Sequence, residues 1–293
     1  MKTIKNKTIE QIASWIFFAI GMITILCVLV ITLYLISSGL PAIQKIGLKE
    51  FLFSSTWNST GSDPKFGILP FILTSLYGTL GALLLAVPVG IGCALYLSKF
   101  APPALKRCLL MGIQVLAGIP SVVFGLVGMV VLVPWIRSMF HLSDGACLLS
   151  AMIVLAIMIL PSVVNVSLNA LDAVPSEYEE ASIALGATKL ETVRKVSFPA
   201  ARSGILASII LGTGRAIGEA MAVIMVSGNV ANMPNMFQSV RFLTTAISSE
   251  MSYASGLQKE ALFSIALVLF VFILLTNTIL SKLMKEVQSN DSH

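Results

Sequence analysis

Long runs without a charged residue constrain this chain more than any other feature of its sequence. Five such runs cover residues 11–44, 66–98, 108–136, 145–171 and 261–281. Each exceeds the roughly 20 residues that an α-helix needs to cross about 30 Å of hydrocarbon. A sixth apolar stretch, 203–228, is interrupted only by Arg215 and Glu219. Because a chain inside lipid must satisfy its own backbone hydrogen bonds, these runs predict transmembrane helices.

The overall composition also indicates a protein that lies in a lipid bilayer. Of the 293 residues only 11% are charged, against about 25% in soluble domains. We therefore predict an all-α integral membrane protein that forms a single transmembrane domain over residues 1–293. Its six helices are expected at 12–38, 69–98, 108–135, 146–168, 201–227 and 261–281. The first is longer than the roughly 7–15 apolar residues of a cleaved signal peptide, so we expect it to remain as an anchor in membrane lipid.

The distribution of lysine and arginine predicts the orientation. Twelve of these 19 residues lie at the two termini or in the segments after the second and fourth predicted helices, and six lie in the alternate segments. Basic residues are enriched in short loops on the cytoplasmic side of a membrane, so both termini are expected in the cytoplasm. The sequence has no basic patch with interleaved aromatic residues, so nucleic-acid binding is not predicted. The four cysteines have no CxxC spacing and the histidines number two, so neither a disulfide framework nor a metal site is predicted.

The segment between the fourth and fifth predicted helices carries helix-start and helix-stop signals. Ser176 followed by Glu179 has the spacing of a capping box, and so has Thr188 followed by Glu191. Gly186 between them is suited to the left-handed conformation that ends a helix. The sequence therefore predicts a cytoplasmic loop, residues 169–200, made of a helix, a glycine and a second helix.

Both helices of this loop are expected to present small or apolar side chains on one face. These side chains are Tyr178, Ala181, Ser182, Leu185, Leu190, Val193 and Phe198. Short apolar helix faces are suited to a groove on a partner protein. The alternative is an element that lies on the bilayer, although its glutamate-rich polar face would be repelled by anionic lipid.

The same loop carries a resemblance to a known family. The stretch EYEEASIALGATKLETVRKVSFP resembles the EAA loop of ABC importer permeases, whose pattern is roughly E-A-A, then G, and a hydrophobic-x-x-P ending. The matching residues are Glu180, Ala181, Ser182, Gly186, Phe198 and Pro199, with serine in place of the second alanine. The resemblance implies that these residues, with the neighbouring Leu185, couple the chain to a cytoplasmic ATPase.

Three further stretches narrow the resemblance to the PstC-type permeases of phosphate importers. They are FGILPFILTSLYGTL (66–80), LAGIPSVVFGLVG (116–128) and GRAIGEAMAVIMVSGN (214–229). The resemblance implies a type I ABC importer permease fold and the passage of inorganic phosphate across the plasma (inner) membrane of a bacterium. It also implies three partners: an ATPase dimer, a second homologous permease subunit, and a periplasmic or surface phosphate-binding protein.

The energy source is expected in another chain. A Walker A loop ends in Gly-Lys-Ser or Gly-Lys-Thr, and the sequence contains no Gly-Lys dipeptide. The chain is therefore predicted to be non-catalytic, without a cofactor of its own, and the partner ATPase is predicted to bind the ATP.

The two charges in the fifth predicted helix are the candidate substrate pathway. Arg215 lies near the bilayer centre, where an arginine costs at least about 2.5–3.5 kcal/mol on insertion scales. Glu219 follows four residues later, on the same face of an unbroken helix, where the two are expected to pair. Gly214 and Gly218 have the spacing that permits close helix approach.

Two interpretations of this pair are open. In one, the ion pair is structural and fixes the helix register. In the other, Arg215 faces the pathway and offers its planar guanidinium to phosphate oxygens, while Glu219 orients it or limits its affinity. Ser121, Ser162 and Asn165 are weaker pathway candidates, because serine and asparagine often serve only as interhelical hydrogen bonds.

Other functions remain as alternatives. A single arginine does not distinguish phosphate from sulfate, molybdate or tungstate, which are all tetrahedral oxyanions. An ion-coupled secondary transporter would use the same two charges and would need neither the loop nor an ATPase. An intramembrane enzyme is disfavoured, since no span carries a Ser/His, His/Glu or paired-aspartate set.

Overall fold

The structure, a computed structural model, describes residues 2–59 and 63–290. These residues are helical apart from short connections and one antiparallel hairpin. The helices are α1 (Lys2–Ile46), α2 (Leu48–Phe53), α3 (Leu69–Lys99), α4 (Pro103–Gly118), α5 (Ser121–Val127), α6 (Val133–Met139), α7 (Leu148–Asp172), α8 (Ser176–Ala184), α9 (Lys189–Thr192), α10 (Phe198–Ala200), α11 (Arg202–Gly218), α12 (Met221–Val226), α13 (Leu243–Glu250) and α14 (Gly256–Asn290). Two π-helical turns, Gly128–Leu132 and Val193–Ser197, and the strands β1 (Trp57–Asn58) and β2 (Lys65–Phe66) complete the fold.

Five helical segments in the described part of the chain are long and apolar enough to cross a membrane. They are Glu10–Ile46, Leu69–Lys99, Ser121–Met139, Leu148–Asp172 and Gly256–Lys282. The segment Lys189–Ala200 and the helix α11, which meet at an angle of 66°, bring the number to six if they count as one span. The predicted all-α membrane architecture is thus confirmed, and the bounds of two spans are corrected.

The third predicted span, 108–135, is wrong as one continuous helix. The helix α4 ends at Gly118, and Ile119 adopts an extended conformation before Pro120. Proline disfavours a helical conformation in the residue before it and lacks an N–H for the helix ladder. The membrane-crossing segment therefore starts only at Ser121 and continues to Met139 through the first π-helical turn.

The fifth predicted span, 201–227, is also interrupted. The helix α11 ends at Gly218, Glu219 has extended backbone angles, and α12 begins at Met221. Transporters use such discontinuous helices where the backbone borders a cavity or a substrate site. The break separates the two halves of the span next to its charged residues.

The core is built around α7, in whose most apolar stretch more than half of the residues are buried, whereas that of α1 has no buried residue. The helix α3 packs along α7 through small residues such as Ala82, Ala86 and Gly90. A Cβ atom at Gly90 would lie 2.8 Å from the side chain of Val163 on α7. Small residues let the two helix backbones approach closely, which is how membrane helices gain packing energy.

The N-terminal end of α3 is covered by the β1–β2 hairpin and α13. Trp57 of the hairpin packs edge-to-face on Phe66, with ring centroids 5.4 Å apart. A buried carboxylate, Glu250 at the end of α13, accepts hydrogen bonds from Trp57 and from two polar side chains, and forms an ion pair with Arg241. This cluster lies at the opposite end of α3 from the 169–200 loop.

Candidate functional site

The 169–200 loop has the predicted helix–glycine–helix geometry. Gly186 adopts a left-handed φ of 89°, between the end of α8 and the start of α9. The second capping box is confirmed, because Thr188 Oγ1 accepts from the Glu191 N–H at 3.3 Å and Glu191 Oε2 accepts from the Thr188 N–H at 3.0 Å. The Thr188 backbone bond is the main reason that the pKa of Glu191 is lowered.

The first capping box does not form. Pro175 occupies the N-cap of α8, Ser176 is already the first helical residue, and no side chain caps this end. Glu179 instead forms an ion pair with Lys99, the last residue of α3, and accepts a hydrogen bond from Ser197 Oγ at 2.8 Å. Sequence spacing missed this role, because both partners are distant along the chain.

The surroundings of Glu179 favour its charged form. Burial by itself would raise the pKa of Glu179, but the hydrogen bonds from Lys99 and Ser197 and the nearby charges of Lys99 and Lys189 together lower it. Only 11% of the Lys99 side chain and 25% of the Glu179 side chain are exposed. The ion pair is therefore shielded from water more than a surface pair.

The predicted apolar faces of the loop are only partly free. Leu185 is 91% exposed and Leu190 is 68% exposed. Ser182 is half-buried and its hydroxyl lies 3.0 Å from Thr192 Oγ1, so it holds α8 against α9. Val193 is buried. These last two residues therefore do not lie on an open face, which corrects their predicted place.

We define the docking surface as seven exposed apolar residues of this loop. They are Tyr178, Ala181, Ile183, Leu185, Leu190, Phe198 and Pro199. Ile183, missed from the sequence, joins this set because α8 turns its side chain to solvent. Glu180 and Gly186, which match the EAA pattern, are exposed as well.

The predicted ion pair within the fifth span is wrong. Arg215 does not pair with Glu219 in the structure, but donates from Nη1 to Ser162 Oγ on α7 at 3.1 Å. The helix ends before Glu219, so the four-residue spacing does not bring the two side chains together. The Glu219 carboxylate accepts from the backbone N–H of Ala222 at 2.9 Å, and its carbonyl accepts from Thr244 Oγ1 at 2.7 Å.

Open space borders the two charged residues. Arg215 and Glu219 are both half-buried. A Cβ atom built on Gly214 or Gly218 would have no neighbouring atom within 4 Å. The predicted close approach at these glycines therefore has no counterpart in the described chain, and this face of α11 is open beside the charges.

The weaker pathway candidates separate into two groups. Ser162 holds the guanidinium of Arg215, and Asn165 lies one turn further along α7 and is half-buried. Ser121 stands at the start of α5 and is not brought to Arg215 by any hydrogen bond in the described residues. In the residues that the structure describes, no group of three or more His, Cys, Asp or Glu could hold a metal ion.

Comparison with known proteins places these features in a family. The family described as "Binding-protein-dependent transport system inner membrane component" matches residues 86–288. The "Probable ABC transporter permease protein YqgH" of Bacillus subtilis is 39% identical over 95% of this chain and 93% of its own length. The "Phosphate transport system permease protein PstC" of Haemophilus influenzae is 35% identical over 91% of this chain and 89% of its own.

Solved structures show the same fold. The MetNI methionine ABC transporter in an inward-facing conformation aligns with a TM-score of 0.57 at 20% identity, over 75% of this chain and 94% of that one. An amino acid ABC transporter aligns with a TM-score of 0.52 at 20% identity, over 76% and 92%. The chain thus has the fold of the type I ABC importer permeases.

Proposed function

We propose that this chain, which belongs to the family of binding-protein-dependent transport system inner membrane components, is the transmembrane permease subunit of an ATP-driven importer of inorganic phosphate. The observation that carries the proposal is the 35% identity to a PstC permease across nearly the whole length of both chains. The loop with its exposed apolar surface fits a subunit that is driven from outside its own chain.

The partners follow from what this chain presents. We propose that a cytoplasmic ATPase dimer binds at the docking surface, because Leu185 and Leu190 lie open to water and gain free energy when they are buried. A second homologous permease subunit and a phosphate-binding protein outside the membrane complete the importer. In this assembly the chain lies in the plasma (inner) membrane with both termini in the cytoplasm.

The role we propose for Arg215 is to line the phosphate pathway. Ser162 fixes one end of the guanidinium, which orients the remaining N–H donors, and a guanidinium binds two oxyanion oxygens at once. A half-buried cation at the break of a span also attracts an anion more strongly than it would in water. The Glu219 carboxylate nearby opposes that attraction, so the anion is not held permanently.

The competing structural role for Arg215 is to join α11 to α7 through Ser162. Both roles use the same hydrogen bond, so the geometry is compatible with either. They differ in what the charge does: a pathway residue needs the cation, whereas a packing residue needs only a donor of similar shape.

Uptake of labelled phosphate tests the proposal in cells that lack other phosphate importers and contain the proposed partner subunits. The variant Arg215→Gln removes the charge and keeps N–H donors on a shorter side chain, and Arg107→Gln removes an exposed cation as the matched control. We expect Arg215→Gln to reduce uptake about tenfold or more, the effect of losing a hydrogen bond to a charged group. Arg107→Gln should transport like the unsubstituted chain.

Competitors and a second control separate the alternatives. Uptake that resists excess sulfate and molybdate supports phosphate, whereas loss of uptake to either competitor contradicts it. Uptake that persists with a catalytically inactive ATPase partner would support an ion-coupled transporter instead. Normal uptake by a well-expressed Arg215→Gln variant would assign Arg215 to packing.

A further inference from the structure

One half-buried junction connects the docking loop to the membrane helices. Glu179 lies on α8 and binds both Lys99, at the end of α3, and Ser197, in the π-helical turn that leads towards α11. Among the described side chains, this ion pair is the one polar link from α8 to α3. A single carboxylate therefore joins both halves of the loop to the end of α3.

The loop around this junction is braced so that it moves as a unit. The hydroxyls of Ser182 and Thr192 lie 3.0 Å apart and hold α8 against α9. Lys189 of α9 lies over the ring of Phe100, 5.3 Å from its centroid, directly after the end of α3. A displacement of the docking surface therefore moves α8 and α9 together and reaches the end of α3.

The two helices reached by Glu179 are those that position the candidate pathway. The helix α3 packs along α7, which carries Ser162, and α11 carries Arg215. The segment that holds Ser197 meets α11 at an angle of 66°. A displacement of the loop therefore moves the start of α11. Because Lys99 is almost fully buried, water does not readily replace the carboxylate.

We infer that Glu179 is a positioning residue that transmits the movement of the ATPase-bound loop to α3 and α11, and so couples ATP hydrolysis to the pathway at Arg215. This inference rests on the proposed function, since it takes the docked partner to be an ATPase. Glu179 is the residue before the glutamate that matches the EAA pattern, so the resemblance does not assign it this role.

The test uses the complete importer in proteoliposomes, with the ratio of phosphate transported to ATP hydrolysed as the readout. We expect Glu179→Gln to lower this ratio about fivefold or more, the low end of typical coupling between sites. The exchange Glu179→Lys with Lys99→Glu restores the ion pair and should recover most of the ratio. Asp172→Asn is the matched control, because Asp172 at the end of α7 pairs with Lys106 and accepts from Ser98 of α3, so the variant weakens the same edge of the helices without changing α8 or α9.

Two outcomes of the ratio measurement would contradict the inference. If Glu179→Gln lowers transport and ATPase activity together and leaves their ratio unchanged, the residue serves assembly only and the inference is wrong. The inference also fails if Asp172→Asn lowers the ratio as much, because any weakening of this edge would then suffice.

A second readout judges the inference without reference to phosphate. Gly214→Cys, placed in a background without the native cysteines, puts a thiol in the open space beside Arg215. ATP should change the rate at which a maleimide labels this thiol, and Glu179→Gln should abolish the change. An ATP-dependent change that survives Glu179→Gln overturns the inference, whereas a failure to move phosphate with the labelling as expected overturns only the substrate.

Discussion

Replacement of Glu250 by glutamine should strongly destabilise the end of the molecule opposite the loop. Each carboxylate oxygen accepts two bonds: Oε1 from Arg241 and Trp57, and Oε2 from Ser59 and Gln258. A glutamine must place its NH₂ at one of these positions, where an N–H donor already points at it. The variant thus loses the charge and sets donor against donor.

The magnitude follows from burial. Only 8% of the Glu250 side chain and 17% of its ion-pair partner's are exposed. Removal of one partner from a buried pair costs about 3–5 kcal/mol, because the other charge stays buried alone. With about 2–4 °C in Tm per kcal/mol for domains of comparable size, the expected loss is of the order of 10 °C. Glu260→Gln is the matched control: its pair with Lys45 is 2.8 Å long but exposed, so we expect a cost of about 0–1 kcal/mol.

Thermal unfolding of the purified chain in detergent measures this difference, and tryptophan fluorescence localises it. With Trp15 and Trp135 replaced by phenylalanine, the emission reports on Trp57 in the hairpin. Glu250→Gln should lower Tm and shift the emission to longer wavelength, since the weakened network lets water reach the Trp57 indole. If Glu250→Gln lowers Tm no more than Glu260→Gln and the emission does not shift, the network does not hold the hairpin and the reasoning is refuted.

Three further results are expected. Gly39→Ala should cost about 1–3 kcal/mol in thermal unfolding, because its Cβ would lie 2.9 Å from the Phe263 carbonyl oxygen on α14; Gly21→Ala on the same helix, with no atom within 4 Å, should leave Tm unchanged. Gly186→Ala should cost about 1–2 kcal/mol, since φ at this position is 89°; equal stability would contradict the strain. Because the pKa of Glu179 is lowered in the folded protein, its contribution is complete above the unfolded value of about 4.3 and is lost as pH falls through the lower folded value. The Tm difference between the unsubstituted protein and Glu179→Gln should therefore hold from pH 7 down to about pH 4.3 and shrink below it, and a difference that stays constant at lower pH would contradict the assignment.

Features set by neighbouring residues were predictable from the sequence. The apolar runs predict a membrane protein with an all-α fold, because a helix needs only its own length and composition to satisfy its backbone in lipid. The left-handed turn at Gly186 and the cap of Thr188 with Glu191 are equally local, and both are present in the structure. The family resemblance was readable for the same reason, since its pattern lies within one short loop.

Features that depend on which distant elements meet were decided by the tertiary structure. The spacing of Arg215 and Glu219 predicted a pair, but packing of α7 against α11 supplies Ser162 as the partner instead, and the break before Glu219 turns its carboxylate to another helix. Glu179 had the spacing of a capping residue and became a link between α3 and α8. A charged side chain that leaves water binds the nearest groups able to compensate it, and in a folded membrane protein those groups are neighbours in space that the order of residues does not reveal.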